Sequence, residues 1–204
     1  NTYNKIFTYN PEFFTEIASN KLTSNVKRIF FSRTLKLHEN FWSSRRENNI
    51  IAIYSNKVRA HEKSNYKYRD YVISNLSNAN RLALYGHGWD SNLFHLKRPF
   101  NIINKILTKF NINKVKRKRY YGLAEDKIKI SSNFNFCLCF ENTINFNGYI
   151  TEKIFDCFVS GCVPIYWGVD NPGDVFGNNS FIDRRNFKTH EELYQFMKDM
   201  DEVT

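Results

Sequence analysis

The stretch NGYITEKIFDCFVSGCVPIYWG, residues 147–168, decides the fold class of this chain. From Thr151 onward its apolar residues have the spacing of a helix, and the run VPIYWG that follows has the composition of a buried strand. A helix that leads into a buried strand is typical of the crossover connections of a parallel sheet. The same stretch places an acid and a base, Glu152 and Lys153, side by side where the helix begins.

Strands and helices alternate on both sides of this stretch. Apolar and β-branched runs predict strands at residues 49–55, 81–88, 134–142, 163–168 and 180–183. Helical spacing predicts helices at residues 64–77, 99–110 and 151–161, and from Thr189 to the end, where Thr189 and Glu192 form a capping box. The alternation predicts an α/β fold with a Rossmann-like parallel sheet and helices on both faces.

Three polar segments are predicted to meet at one edge of this sheet. The sequence YSN follows the first strand at residues 54–56, FENT ends the third strand at residues 140–143, and the helix starts near Thr151. Ligands of open parallel sheets bind at the carboxyl ends of the strands. We therefore expect a ligand site where these segments converge.

The first turn of the helix suggests what that ligand is. With Thr151 as N-cap, Lys153 lies among unpaired backbone N–H groups and opposes the helix dipole, at a cost of a few tenths of a kcal/mol. A phosphate at the helix end would remove that cost and leave Glu152 to accept hydrogen bonds from hydroxyls, for instance a ribose diol. On spacing alone, two exposed charges on a capped helix explain the pattern slightly better.

Composition narrows the function class. The chain has 204 residues, 42% of them hydrophobic and 17% aromatic, and has no apolar run long enough to span a membrane. Its net charge of +10 favours an anionic partner, either nucleic acid, a membrane surface or a phosphorylated small molecule, although solubility also explains it. The densest basic run, residues 113–120, is interpreted as a solvated loop.

The four cysteines predict no metal site. They lie inside apolar strand and helix patterns and form no CxxC pair, so buried free thiols are expected and a reducing compartment is favoured. Residues 1–47 contain short apolar pieces followed by a polar segment. They are interpreted as the remnant of an N-terminal, acceptor-side domain and a linker, with one ligand-binding domain at residues 48–204.

Residues 136–168 resemble the nucleotide-sugar-binding signature of the α-1,3-fucosyltransferase family, glycosyltransferase family 10, and weaker similarity runs from about Ile50 to the end. The resemblance implies the C-terminal, GDP-fucose-binding half of a GT-B glycosyltransferase, which has two Rossmann-like halves. One departure is Cys137, where many members carry an aromatic that packs near the base.

The resemblance also implies roles for individual residues. Lys153 would contact the diphosphate, Glu152 would bind a donor hydroxyl, and Asn142 and Tyr149 would line the nucleotide pocket. Glu141 is expected to accept hydrogen bonds from loop N–H groups and not to act as a catalyst.

Three further donor-binding residues are implied upstream. Ser55 and Asn56 fall at the matching turn, and Arg69 falls at the position of the phosphate-binding arginine. Arg59 and Lys67 remain alternatives to Arg69 because they lie close to it in the sequence.

The implied reaction is transfer of L-fucose from GDP-fucose to a hydroxyl of an acceptor oligosaccharide or glycoconjugate, with inversion. Arg69 and Lys153 would stabilise the departing diphosphate, so no cofactor is required, and Mn²⁺ stimulation stays open. The general base is unknown and expected outside this chain. Glu12, Glu16, Glu39 and Glu47 are candidates by chemistry only.

Two alternatives remain at this point. One is a transferase of the same fold that uses another nucleotide-sugar. The other is a non-catalytic basic module that binds nucleic acid or a membrane, although for the transferase we expect no nucleic acid and only peripheral membrane contact through the basic surface. The expected location is the cytoplasm or a membrane surface for a prokaryotic or viral protein, and the Golgi lumen for a eukaryotic one.

Overall fold

The computed structural model describes residues 6–8, 26–28, 46–58, 62–93, 102–144, 146 and 148–200. Its strands are β1 Ile6–Thr8, β2 Val26–Arg28, β3 Glu47–Ile53, β4 Leu82–Tyr85, β5 Phe134–Phe140, β6 Val163–Trp167 and β7 Ile182–Asp183. Its helices are α1 Tyr66–Asn78, α2 Ile102–Lys109, α3 Lys127–Ser131, α4 Glu152–Val159, α5 Gly173–Phe176 and α6 His190–Asp199, with a 3₁₀ turn at Arg184–Asn186. None of the helices within these ranges is long and apolar enough to cross a membrane.

Strands β3 to β7 form one parallel sheet in the spatial order β4-β3-β5-β6-β7, and β1 pairs with β2 in a separate parallel ladder. From β3 the chain goes to one edge to form β4, then crosses to the other side of β3 and continues outward through β5, β6 and β7. Right-handed crossovers in opposite directions place their helices on opposite faces. The carboxyl ends of β3 and β5 therefore border the crevice at which the strand order reverses.

Two apolar layers cover the sheet. On one face, Ile73 of α1 and Leu193 of α6 belong to the cluster that includes Phe136 of β5. On the other face, Ile154 of α4 packs in a second cluster with Tyr166 of β6. The predicted parallel sheet with helices on both faces is confirmed, and so is the capping box between Thr189 and Glu192.

Tyr54, the residue after β3, completes the hydrogen bonding of the sheet at the crevice. Its buried hydroxyl accepts the N–H of Phe140 at 2.6 Å and donates to the C=O of Leu138 at 2.6 Å. Both groups belong to β5 near the point where β3 ends, and buried backbone groups must find partners. The Tyr54 side chain therefore supplies hydrogen bonds to β5 beyond the point where the backbone of β3 stops pairing with it.

The patterns did not predict α3, α5 or the 3₁₀ turn. Each is at most five residues long, which is too short for helical periodicity to appear in the sequence. The predicted helix at residues 99–110 is observed as α2, and residues 99–101 lie outside the described part of the chain.

The interpretation of residues 113–120 as a solvated loop is partly wrong. Lys114, Lys116 and Lys118 are exposed, as expected. Arg117, in contrast, donates to Ser74 and Asn92, and Arg119 donates to Glu47 at 2.7 Å. The backbone also pairs with the sheet edge, where the C=O of Arg119 accepts the N–H of Leu84. This part of the run is structural because its arginine side chains bind α1, the loop after β4 and the start of β3, while its backbone pairs with the edge of β4.

The role of Tyr54 yields a stability prediction. Tyr54→Phe removes the hydroxyl and leaves the buried N–H of Phe140 and C=O of Leu138 without that partner, so we expect a loss of about 1–3 kcal/mol in the free energy of unfolding. Urea unfolding followed by circular dichroism measures the change. Tyr71→Phe, at a side chain that is 58% exposed, is the control. Equal stability of the two variants would refute the bridging role.

Candidate functional site

A buried carboxylate lies at the centre of the crevice. Glu141 follows β5 and is 0% exposed. Its Oε1 accepts the backbone N–H of Thr151 at 2.8 Å, and its Oε2 accepts the Thr151 hydroxyl at 2.7 Å and Nζ of Lys153 at 3.1 Å. The predicted role of Glu141 as an acceptor for a loop N–H is confirmed. Its carboxylate thereby joins the end of β5 to the start of α4.

Thr151 is the N-cap residue of α4, as predicted, but its side chain makes no capping hydrogen bond. Its hydroxyl instead donates to Glu141 and accepts from Nζ of Lys153 at 2.7 Å. The anion that compensates the helix dipole and Lys153 is therefore supplied by the protein itself, in the form of Glu141. The interpretation of Lys153 as a solvated charge is wrong, since its side chain is only 17% exposed.

Lys153 keeps hydrogen-bonding capacity beyond this pair. An ammonium has three N–H donors, and two of them serve Glu141 and Thr151. The next acidic group, Oε1 of Glu152, lies at 3.8 Å, which is within ion-pair distance but beyond a hydrogen bond. Glu152 is half-buried in the first turn of α4. The first turn thus offers one remaining N–H donor and one carboxylate to a ligand.

Gly168, after β6, is required by the close approach of Glu141. A Cβ at this position would lie 2.7 Å from Cγ of Glu141 and 2.2 Å from the hydroxyl oxygen of Tyr166. Real Cβ atoms do not approach other atoms this closely, so any side chain would displace the carboxylate. The quoted stretch therefore ends on glycine for a packing reason.

Arg69 is placed beside this carboxylate turn, although it is only 3% exposed. Its Nη1 donates to Oδ1 of Asn142 at 2.9 Å, and its guanidinium lies 4.4 Å from the ring centre of Tyr54 and 4.5 Å from that of Tyr66. Burial lowers the pKa of the guanidinium, and Tyr54 and Tyr66 oppose that shift. Arginine nevertheless stays charged in proteins, so this is a buried cation that orients Asn142.

The turn after β5 is fixed from α1 as well. Asn65 donates its backbone N–H to the C=O of Asn142 at 3.0 Å and its side-chain amide to the C=O of Glu141 at 3.2 Å. Lys67, the alternative to Arg69, is exposed on α1, and Arg59 lies outside the described residues. Of the two described candidates, Arg69 and Lys67, it is Arg69 that donates to Asn142 in this turn.

Ser55 and Asn56 differ in exposure and in the contacts of their side chains. Ser55 is exposed after β3. The Asn56 amide donates to the C=O groups of Gly88 and Ser91, each at 2.8 Å. Its side-chain N–H groups therefore hold the loop after β4, which leaves only its amide oxygen for a ligand.

Tyr149 lies on the approach to α4 and is half-buried. Its ring packs edge-on against Phe146, with 6.1 Å between centroids. Burial raises the pKa of the Tyr149 hydroxyl, and the nearby Lys153 ammonium opposes this rise. The predicted residues Asn142, Tyr149, Glu152 and Lys153 are thus brought to one end of the sheet.

Other predicted positions do not join the crevice. Cys137 points into the layer beneath α4 with Cys139 and is 9% exposed. Glu47 starts β3, about 20 Å along the strand from its carboxyl end. Glu12, Glu16 and Glu39 lie outside the described residues.

Sequence reasoning missed Tyr54, Tyr66 and Asn65. The sequence could have indicated Tyr54, because the residue that follows a buried strand lies at the edge of the sheet where ligands bind. Asn65 comes just before a predicted helix, so its sequence position indicates only a helix N-cap. Its hydrogen bonds to the turn after β5 depend on tertiary packing, which the sequence does not show.

The fold of this chain is similar to that of solved glycosyltransferases of the GT-B fold. A crystal structure of an alpha1,3-fucosyltransferase with GDP superposes with a TM-score of 0.56 at 17% identity, covering 96% of this chain and 56% of that one. S. aureus TarM, in a mutant form in complex with fondaparinux, alpha-GlcNAc-glycerol and UDP, superposes with a TM-score of 0.51 at 15% identity, covering 96% and 36%. The fold is therefore the Rossmann-like half of a GT-B glycosyltransferase, as predicted.

Sequence comparison gives the family. The description "Glycosyltransferase family 10 (fucosyltransferase) C-term" matches residues 43–204, and the chain belongs to this family. The chain is 39% identical to Alpha-(1,3)-fucosyltransferase FucT of Helicobacter pylori over 75 residues. This aligned segment covers 37% of this chain and 16% of that protein. It is 36% identical to 4-galactosyl-N-acetylglucosaminide 3-alpha-L-fucosyltransferase 9 of Mus musculus over 83 residues. This second segment covers 40% of this chain and 23% of that protein. The matches thus span less than a quarter of either relative.

The buried ion pair yields a prediction that reverses the expectation from sequence. A lysine that only opposed the dipole could be removed without loss, whereas Lys153→Ala leaves Glu141 buried without its cation. We expect the free energy of unfolding to fall by about 1.5–3 kcal/mol, measured by urea unfolding without ligand. Lys105→Ala, on the exposed side of α2, is the matched control. A Lys153 variant as stable as that control would contradict the pair.

Proposed function

We propose that this chain is the donor-binding part of an enzyme that transfers L-fucose from GDP-fucose to a hydroxyl of an acceptor glycan, with inversion. The observation that carries the proposal is the convergence of Asn142, Tyr149, Glu152 and Lys153 at the reversal point of the sheet, in a chain that belongs to the fucosyltransferase family. Ligands of such sheets bind at that point.

Lys153 is the residue proposed to face the diphosphate. Its third N–H, together with the free N–H groups of the first turn of α4, forms an anion site of the kind found at helix ends. Glu141 keeps the ammonium in place at 3.1 Å, so the donor does not have to immobilise a flexible lysine. Glu152 accepts hydrogen bonds from donor hydroxyls, for which a carboxylate is suited.

Arg69 contributes in a different way from a surface arginine. Since it is 3% exposed, it acts first through Asn142, which it orients toward the nucleotide pocket. Its Nε has no hydrogen-bond partner among the described residues. Closer contact with the diphosphate, as the family resemblance implies, requires a local shift of the turn. Ser55 and the amide oxygen of Asn56 complete the donor side.

The reaction needs two groups around the anomeric carbon. A general base removes the proton of the acceptor hydroxyl while its oxygen forms the new bond, and the bond to the diphosphate oxygen breaks on the opposite face. The negative charge that develops on GDP is stabilised by Lys153 and the end of α4. These groups make a metal unnecessary for leaving-group departure, and Mn²⁺ stimulation remains open. The base is proposed to come from outside this chain.

The nucleotide is tested directly by calorimetry on the 204-residue chain. We expect GDP to bind in preference to UDP, the nucleotide of the TarM structure, and Lys153→Ala to weaken GDP about tenfold or more while it changes guanosine binding little. The physical reason is that a charge-assisted contact to phosphate contributes about 1.5–3 kcal/mol, which guanosine cannot receive.

Glu152→Ala is the matched control in this experiment, since a hydroxyl contact affects GDP and guanosine by similar factors. Circular dichroism at the titration temperature verifies that each variant is folded. Preference for UDP would favour another nucleotide-sugar, and equal loss of GDP and guanosine in Lys153→Ala would remove the phosphate role.

We further propose peripheral contact with an anionic membrane through α2. Ile102, Ile106 and Phe110 are 58%, 48% and 65% exposed, although they form the apolar side of this helix. Lys105 and Lys109 are exposed on the same helix, and Lys114 follows it. Apolar side chains flanked by lysines match a lipid surface with negative headgroups.

Vesicle flotation tests this contact. We expect the chain to float with phosphatidylglycerol vesicles and not with phosphatidylcholine vesicles, and to lose binding in Ile106→Asp because a charge then enters the apolar face. Lys198→Ala, a single charge removed from α6, is the control. Flotation unchanged in Ile106→Asp would exclude α2 as the membrane surface.

A further inference from the structure

Three cysteine thiols meet in the layer beneath α4. Cys137 and Cys139 alternate along β5 and therefore face the same side of the sheet, and Cys157 reaches them from α4. The three sulfur atoms all lie within 4.8 Å of one another, and those of Cys137 and Cys139 are 3.9 Å apart. We call these residues the thiol cluster. All of its members are buried.

These distances match the geometry of a metal–thiolate centre. With a metal–sulfur bond of about 2.3 Å, sulfurs in tetrahedral or trigonal arrangement lie about 3.8–4.0 Å apart. The Cys137–Cys139 distance of 3.9 Å falls in this range, and the Cys157 sulfur lies within 4.8 Å of both. Two strand cysteines separated by one residue thus supply the paired thiols that a CxxC motif supplies on a turn.

A cavity of about 70 Å³ adjoins the cluster and offers room for a fourth ligand. One water needs roughly 10–15 Å³ of such space. Besides the three cysteines, the cavity is lined by two carboxylates and two ammonium groups, Glu152, Asp156, Lys127 and Lys153. A water or the Asp156 carboxylate can complete four-coordination, and the lysines offset the excess negative charge of three thiolates around a divalent ion.

Binding of a metal ion would release the thiol protons of the cluster to solvent, because the thiolate and not the thiol is the metal ligand.

We propose that Cys137, Cys139 and Cys157 form a binding site for a thiophilic metal ion of the zinc class, with the fourth position directed into the adjoining cavity. Thiolate sets select soft and borderline ions such as Zn²⁺ over Mg²⁺ or Mn²⁺. The ion would be structural. It would fasten β5 to α4, the two elements that Glu141 and Lys153 join at the crevice, and it takes no part in the transfer reaction.

Cobalt(II) is the probe for this site. The 204-residue chain, reduced and freed of metal with a chelator, is titrated with Co²⁺ in the absence of nucleotide. We expect one equivalent to produce thiolate-to-cobalt charge-transfer absorption, Zn²⁺ to abolish it by displacement, and Zn²⁺ to raise the melting temperature. The affinity should fall as pH is lowered, because protons compete for the sulfurs. Absence of the charge-transfer band in excess Co²⁺ would overturn the proposal.

Variants then assign the ligands. Loss of second-shell groups weakens metal sites by about 10–100-fold, so Cys157→Ser, which removes a ligand, should weaken Co²⁺ binding by at least about 100-fold. Cys162→Ser is the matched control. Its buried sulfur is not one of the three cluster sulfurs, although Cys162 neighbours Cys157, and it donates to the C=O groups of Ser131 and Phe134, which a serine hydroxyl can also do.

Two results would bear on the assignment of the cysteine ligands. A Cys162 variant that loses the band as completely as the Cys157 variant would show that the cluster is not the site. If Cys157→Ser does not fold, Cys137→Ser replaces it. The titration of the unaltered chain decides the proposal in either case. Failure here leaves the GDP proposal intact, because no nucleotide enters the measurement.

Discussion

The structure of the crevice depends on one buried carboxylate. Glu141 has no contact with solvent and receives donors from the N–H and hydroxyl of Thr151 and the ammonium of Lys153. Removing a charge from water is costly unless it is paired and hydrogen-bonded. The three donors meet that requirement, and in doing so they fix the start of α4 against the end of β5.

This constraint explains why the acid and the base stand together at the helix entrance. Lys153 opposes the dipole of α4, and Glu141 compensates both the lysine and the helix end. The neighbouring Glu152 lines the adjoining cavity and lies within ion-pair distance of Lys153, at 3.8 Å, without a hydrogen bond between them. Because Lys153 is held by two acceptors and retains a third donor, one side chain can serve the fold and an incoming phosphate together.

A second buried charge supports the same turn from the opposite side. Arg69 lies between the rings of Tyr54 and Tyr66 and holds Asn142, while the Tyr54 hydroxyl continues the sheet. The two cations, Arg69 and Lys153, thus act on consecutive residues of one turn. These hydrogen bonds order the turn before any ligand arrives, which reduces the ordering that binding has to supply.

The sequence predicted the parallel sheet and its major helices because their apolar periods are long and unambiguous. It also placed Glu141 as an acceptor, since a carboxylate between a strand and a helix start has few other uses. It could not show that Lys153 is paired with Glu141, because nine residues separate that acid from Thr151 and only the fold brings them together. For the same reason the thiol cluster was invisible, since Cys157 joins the two β5 cysteines through tertiary packing alone.

The central claim, that Glu141 and Lys153 act as one unit, is tested most directly by a double-mutant cycle. Glu141→Gln, Lys153→Met and the double variant are unfolded in urea, and the coupling energy is taken from the three changes in the free energy of unfolding. We expect a coupling energy of at least about 1 kcal/mol, with the double variant more stable than the sum of the single losses implies. Additive losses, equal within about 0.3–0.5 kcal/mol, would contradict it.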